Sequence, residues 1–225
     1  MSIISLKDIQ VVYNSFHPVY ALQDVTLSIE KGEWITILGP SGSGKTTLLN
    51  VIGGMERSSM GEVEVAGMLL NGLSDDALQD FRRNKIGFIF QHYRLLDQYT
   101  VLENVMLPQW PYLPKKEIER RATEILSQLH MSHRLDHLPG ELSGGEKQRT
   151  AIARAMVHNP EILLCDEPTG NLDAENRDNI LTCLEKLHQN GMTMLIVTHD
   201  EEVAKYGDRS LFLRDGILKE RVGFV

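Results

Sequence analysis

Four short runs carry residues that can do chemistry. Gly39-Pro40-Ser41-Gly42-Ser43-Gly44-Lys45-Thr46 fits the spacing G-x-x-x-x-G-K-[ST], which builds a phosphate-binding loop when a strand precedes it and a helix follows. Its glycines let the backbone wrap an anion and turn N–H groups inward. The helix that begins at Lys45 adds partial positive charge. Lys45 is placed to reach β- and γ-phosphates and the Thr46 hydroxyl to ligate Mg²⁺, and Thr47 is counted with them among the cofactor-binding residues. Asp166-Glu167 closes the apolar run Ile162-Leu-Leu-Cys165. Adjacent strand positions face opposite ways, so the two acids take different tasks. Asp166 suits holding Mg²⁺, and Glu167 suits orienting or deprotonating an attacking water. His199 follows a second apolar run, Met194–Val197, and can hydrogen-bond a γ-phosphate or the water. Ser143-Gly144-Gly145 opens another helix and so makes a second anion site.

These groups need elements to hold them. Val25, Leu27 and Ile29 alternate with polar residues, the mark of a half-buried strand. Strands are predicted over Ser2–Tyr13, Ala21–Ile29, Glu62–Ala66 and Ile86–Phe90. Glu33–Leu38 is nearly all apolar, as in a strand covered on both faces. Helices are predicted over Lys45–Ile52 and from Ser74, as cap, through Phe81. The middle of the chain then turns helical over Val101–Met106, Lys115–Leu129 and Glu146–Met156. In the second of these, Ile118, Ala122, Ile125, Leu126 and Leu129 share one face. Strands at Ile162–Cys165, Met194–Val197 and Leu211–Leu213 alternate with helices at Ala174–His188 and Glu201–Lys205. Such alternation implies a mostly parallel α/β sheet, interrupted by a helical insert at about 92–158.

The chain has 225 residues, 23 Lys and Arg against 31 Asp and Glu, and a net charge of −8. That balance is a poor match for nucleic acid. Cys165 and Cys183 are the two cysteines, too few for a disulfide framework. No run approaches the ~20 apolar residues that span a bilayer, and Met1–Ile9 lacks the h-region of a signal peptide. His133 and His137 are four apart, but Pro139 and Gly140 follow and no acid or cysteine completes a metal set.

Together with Leu142-Ser143-Gly144-Gly145-Glu146, these motifs resemble the ATP-binding cassette (ABC) ATPases along almost the whole chain. The resemblance implies one domain. A P-loop NTPase (RecA-like) core with an antiparallel β-rich N-terminal part would take about 1–91 and 159–225, and a helical signature subdomain about 92–158. It implies ATP and Mg²⁺ as cofactors and a head-to-tail homodimer, in which Ser143, Gly144 and Gly145 of one subunit close over the ATP held by the other. By position, Tyr13 resembles the aromatic that stacks on adenine, with Tyr20 nearby. Gln91 resembles the glutamine that senses Mg²⁺ and links core to insert, and Asn171-Leu172-Asp173 the loop crossing the dimer. Glu167 resembles the catalytic glutamate and His199 the switch histidine, with Lys45 in the catalytic set. Glu146 stands where Gln is commoner, and Cys165 where a small apolar residue is usual. Val101–Pro108, His133–His137 and Asp166–Asp173 resemble the branch that powers lipoprotein release, macrolide export and antimicrobial-peptide export. That branch implies a peripheral subunit on the cytoplasmic face of the membrane, driving an integral membrane permease. Two other readings remain: an ATP-driven regulatory module acting through a permease-like protein, and a soluble ABC ATPase of DNA repair or translation. Phe88, Phe90, Tyr93, Leu95 and Leu96 surround Gln91, and an exposed subset would form a groove for a partner's helix.

Overall fold

The computed structural model describes residues 2–14 and 16–220. Two sheets form. In the first, β1 (Ser2–Tyr13) pairs antiparallel with β2 (Val19–Glu30) and with β4 (Met60–Val65), and β5 (Met68–Leu69) adds to β4, in the order β2-β1-β4-β5. Ile4 sits opposite Ile29 and Val65, and Leu6 opposite Leu27 and Val63, so one face is apolar and buried.

The second sheet orders β10 (Ile217–Glu220), β9 (Arg209–Arg214), β3 (Trp34–Leu38), β8 (Thr193–Thr198), β7 (Ile162–Asp166) and β6 (Ile86–Ile89). All pairs are parallel except β9/β10. Its central strands are apolar on both faces, and alternate residues serve different cores. Ile35, Ile37, Ile162, Leu164, Leu195 and Val197 pack with the first sheet and α1 (Lys45–Ile52). Trp34, Leu163, Cys165, Met194 and Ile196 pack with the helices of the other side. Those helices are α3 (Val101–Met106), α4 (Lys115–Gln128), α5 (Gly144–Met156) and α6 (Ala174–Gln189). α3 and α5 each begin with a reciprocal Ser/Thr–Glu cap, Thr100 with Glu103 and Ser143 with Glu146.

Parallel pairing puts the carboxyl ends of β3, β8, β7 and β6 along one sheet edge. This edge is where open α/β sheets bind ligands, and three of the four chemical runs lie there, after β3, β7 and β8.

Apart from end shifts of one or two residues and short 3₁₀ turns, the expected elements differ from the observed ones in four places. α2 runs Asp75–Lys85, past Phe81, because Arg82 donates to the Gly54 carbonyl (2.6 Å) and the helix passes straight into β6. The helix expected at Glu201–Lys205 is a single 3₁₀ turn, Val203–Lys205. Five residues before Gly207 cannot repay helix nucleation. β5 and β10 were not anticipated. β10 returns on β9 through Asp215-Gly216, both at positive φ (50° and 76°), the two-residue turn that matches strand twist.

Candidate functional site

The phosphate loop is fixed from both sides. Gly44 has φ 103°, and a Cβ there would lie 2.3 Å from the Ala21 carbonyl oxygen; one on Gly39 would lie 2.2 Å from that of Leu213. Only glycine fits such approaches. The β9–β10 turn buttresses the loop, with the Gly216 N–H donating to the Ser43 carbonyl (3.1 Å). Lys45 is nearly buried, and its ammonium donates to the Gly39 and Pro40 carbonyls at 2.8 and 2.9 Å. An ammonium has three protons, so one remains for a phosphate oxygen. The buried Ser43 hydroxyl has no protein partner.

A cleft of about 610 Å³ opens over this loop. Ser41, Gly42, Gly44, Lys45, Thr46 and Thr47 line it, and so do Tyr13, Gln91, Asp166 and Glu167. Gly39, Pro40 and Ser43 belong to the loop without lining the cleft. The Thr46 hydroxyl donates to Asp166 Oδ2 (3.1 Å), joining the two groups expected to share a cation. Burial pushes the Asp166 carboxyl up; the Thr46 bond opposes this and the neighbouring Glu167 carboxylate adds to it. One hydroxyl, one carboxylate and the phosphates of a nucleotide make an oxygen set suited to Mg²⁺, which keeps several waters. No group of three or more His, Cys, Asp or Glu that could by itself hold a metal ion occurs among the described residues, and such a set does not need one. The Tyr13 hydroxyl lies 3.3 Å from Thr47 Oγ1. Gln91 Nε2 approaches Gly170 beside the Glu167 Cβ, and the Gln91 carbonyl accepts from Asn171 Nδ2 (2.8 Å).

Glu167, the residue after β7, holds φ 48°. Its Oε1 lies 2.9 Å from His199 Nδ1, and its Oε2 accepts from Thr198 Oγ1 at 2.9 Å. His199 does not line the cleft, but it sits directly on the acid that does.

Ser143, Gly144 and Gly145 are not in the cleft. They open α5 against their own chain's 171–176 segment. A Cβ on Gly145 would fall 2.2 Å from Asn176 Oδ1, and one on Gly144 3.2 Å from Leu172 Cδ2. Glu146 closes the cap by accepting from the Ser143 N–H and hydroxyl, both 2.9 Å. Its Oε1 accepts from Arg134 Nε (2.7 Å). Burial works against its charge, but the Ser143 and Arg134 donors prevail and hold its pKa at about 2.

Sequence reasoning passed over Val19, Gln23, Asp215 and Gly216, which also line the cleft. Asp215-Gly216 carried a readable hairpin signal. Val19 and Gln23 carried none, since the β1–β2 pairing brings them there. Tyr20 lines the cleft beside Tyr13.

A phosphate loop at the carboxyl edge of a parallel sheet, with acids at the end of a nearby strand, defines a P-loop nucleotide hydrolase. The family model for ABC transporters matches residues 22–170. An uncharacterized ABC transporter ATP-binding protein of Methanocaldococcus jannaschii is 44% identical, covering 95% of this chain and 94% of its own. The lipoprotein-releasing system ATP-binding protein LolD of Porphyromonas gingivalis is 44% identical over 92% of this chain and 95% of its own. The macrolide export ATP-binding/permease protein MacB of Chlorobium luteolum is 44% identical, but this chain spans only 30% of its length. The dimeric ATP-binding cassette MJ0796, solved in a post-hydrolysis state with ADP and Pi, superposes with a TM-score of 0.88 at 41% identity, covering 98% of this chain and all of that one. The chain belongs to the ABC transporter family, and it is an ABC-type ATPase.

Proposed function

We propose that this chain is the Mg-ATP hydrolysing motor of a membrane ABC transporter. Two copies sandwich two ATP molecules head to tail, and the closing and opening of that dimer drive a separate permease that exports or extracts a lipoprotein, peptide or drug. The observation that carries the reading is the separation of two half-sites. The phosphate-loop cleft and the Ser143 helix start are both built for anions, yet the second does not line the first. A second copy in reversed orientation supplies what each lacks. The dimeric form of MJ0796 supports this.

In the closed site, the loop N–H groups, Lys45 and the second copy's Ser143 and Gly145 neutralise charge that develops on the γ-phosphoryl oxygens. Glu167 orients the attacking water and takes its proton, with His199 beside it. Thr46 and Asp166, with Gln91 adjacent, would hold Mg²⁺, which when bound would supply Lewis acidity to the phosphoryl transfer. Tyr13 stacks on the base.

We place the permease contact on a second cleft, of about 450 Å³, where Phe88, Phe90 and Tyr112 meet Arg82, Arg83 and Arg94. Phe88 and Phe90 stack at 4.4 Å, and the Arg94 and Arg83 guanidinium groups lie over the Phe90 and Tyr112 rings. An amphipathic helix with acidic ends suits such a surface. Tyr93, Leu95 and Leu96 lie outside this lining. No helix of the described residues is long and apolar enough to cross a membrane, so the 92–158 insert would transmit the motion to a partner that does.

The test is Glu167→Gln. It should bind ATP, elute as a dimer with Mg-ATP and lose turnover by about 10²-fold or more. From solubilised native membranes it should co-purify a multi-span protein. Near-wild-type hydrolysis would refute the role given to Glu167, and recovery of ribosomes or DNA-processing factors alone would refute the transporter.

A further inference from the structure

Glu167 has to present one carboxylate oxygen to water, and its own side chain has three torsions with which to miss. Its backbone is tied to β8, since the Glu167 N–H donates to the Val197 carbonyl (2.9 Å). Its side chain returns to the end of the same strand. Oε2 receives Thr198 Oγ1 at 2.9 Å and, more distantly, the His199 N–H at 3.4 Å, while Oε1 faces His199 Nδ1.

The two side chains that hold the carboxylate differ in kind. The His199 side chain is 63% exposed, free to turn toward a nucleotide. Thr198 is 1% exposed and β-branched, so its rotamer is stiff. Its hydroxyl also accepts from the Asp200 N–H (3.0 Å). A hydroxyl has one proton. The Asp200 N–H is itself a donor and cannot receive that proton, and the acceptor within reach is Glu167 Oε2. The direction of this bond is therefore determined by its surroundings.

We infer that Thr198 is a positioning residue for hydrolysis: it pins Oε2 of Glu167 from the end of β8, leaving Oε1 as the oxygen that addresses the attacking water. His199 is then at liberty to leave Oε1 when ATP arrives, because the carboxylate does not depend on it for orientation. The inference rests on the role proposed above for Glu167.

The test compares Thr198→Val, which keeps the shape and loses the hydroxyl, with Thr198→Ser, which keeps the hydroxyl. Steady-state ATPase rates and nucleotide affinity are measured with Glu167→Gln alongside. Thr198→Val should lower kcat about 10- to 100-fold, the scale of a misplaced reacting group, with the KM for ATP within about twofold of wild type. Thr198→Ser should recover kcat to within about threefold. If Thr198→Val does not fold, Thr198→Ala takes its place against the same serine variant. A wild-type kcat in the hydroxyl-free variant beside an inactive Glu167→Gln would overturn the role of Thr198 alone. Equal losses in the valine and serine variants would also overturn it, by showing that packing rather than the hydroxyl matters. An active Glu167→Gln would instead remove the reading beneath it.

Discussion

Arg134→Ala probes the departure from the usual signature, Glu146. The carboxylate of Glu146 is about 10% exposed and lies in the first turn of α5, the helix start proposed to meet phosphate. Its pKa of about 2, against an ordinary 4.5, is worth about 3 kcal/mol at ~1.4 kcal/mol per tenfold. Several donors share that sum, and Arg134 is itself one-third exposed, so solvent screens part of its share. Removing it also leaves a nearly buried charge with one partner fewer, which costs more than the pair is worth. Together these give about 2 kcal/mol. In a chain of this length, ~1 kcal/mol moves Tm by about 2–4 °C, so Arg134→Ala should melt about 4–8 °C lower.

Glu146→Gln removes the charge that Arg134 compensates. In that background Arg134→Ala should cost less than ~1 kcal/mol, which leaves a coupling of about 1 kcal/mol or more. Urea unfolding of wild type, both single variants and the double variant at pH 7 measures it. The folded pKa lies below the unfolded one, so the contribution is complete above about pH 5 and is lost as the pH falls toward 2. The coupling should shrink over that window. Mg-ATP-driven dimerisation should weaken in Arg134→Ala and recover in the double variant, because an unpaired carboxylate at the helix start repels the incoming γ-phosphate. Additivity within about 0.5 kcal/mol at pH 7 would show that Arg134 does not compensate Glu146.

Gly44→Ala should abolish nucleotide binding and destabilise the fold by roughly 3 kcal/mol or more, since the residue needs φ 103° and its Cβ would strike the Ala21 carbonyl; equilibrium binding and thermal melting check both parts. Tyr13→Ala should raise the KM for ATP several-fold at unchanged kcat. The same measurement on Tyr20→Ala decides which of the two aromatics in the cleft faces the base, and a larger effect at Tyr20 would reverse the assignment.

The parts of the site that were legible in the sequence are those whose chemistry is local. A phosphate loop needs its glycines, lysine and threonine in one run, and strand-end acids need only an apolar strand before them. The dyad of Glu167 and His199 was half legible. Each residue announced itself at a strand end, but their contact depends on β7 and β8 being neighbours in the sheet. Thr198 carried no signal apart from that contact, because a threonine closing a strand is ordinary. The pairing of Arg134 with Glu146 joins a turn to a helix start, and no periodicity reports it. Asp215-Gly216 is the opposite case: its hairpin signal was present, and only the fold shows that this turn props the phosphate loop.

α5 runs from the Ser143 cap toward the turn that follows Gln91. Its 13 residues span about 20 Å at ~1.5 Å per residue. Ser143 caps one end. Near the other, Arg154 donates to the carbonyls of Tyr93 and Arg94, which both hold left-handed φ, 55° and 49°. Burial lowers the Arg154 pKa only to about 10, so the clamp stays charged at neutral pH. The clamped turn begins two residues after Gln91, whose carbonyl Asn171 also holds. Gly145 and Asn176 are too close for a Cβ between them. On the dimer reading, a phosphate captured at Ser143 belongs to the other copy's cleft, and the helix that captures it grips its own chain's Gln91 turn at the far end. On that reading a displacement at either end would be carried by this one helix, and the two half-sites of a single chain would be linked although they share no ligand.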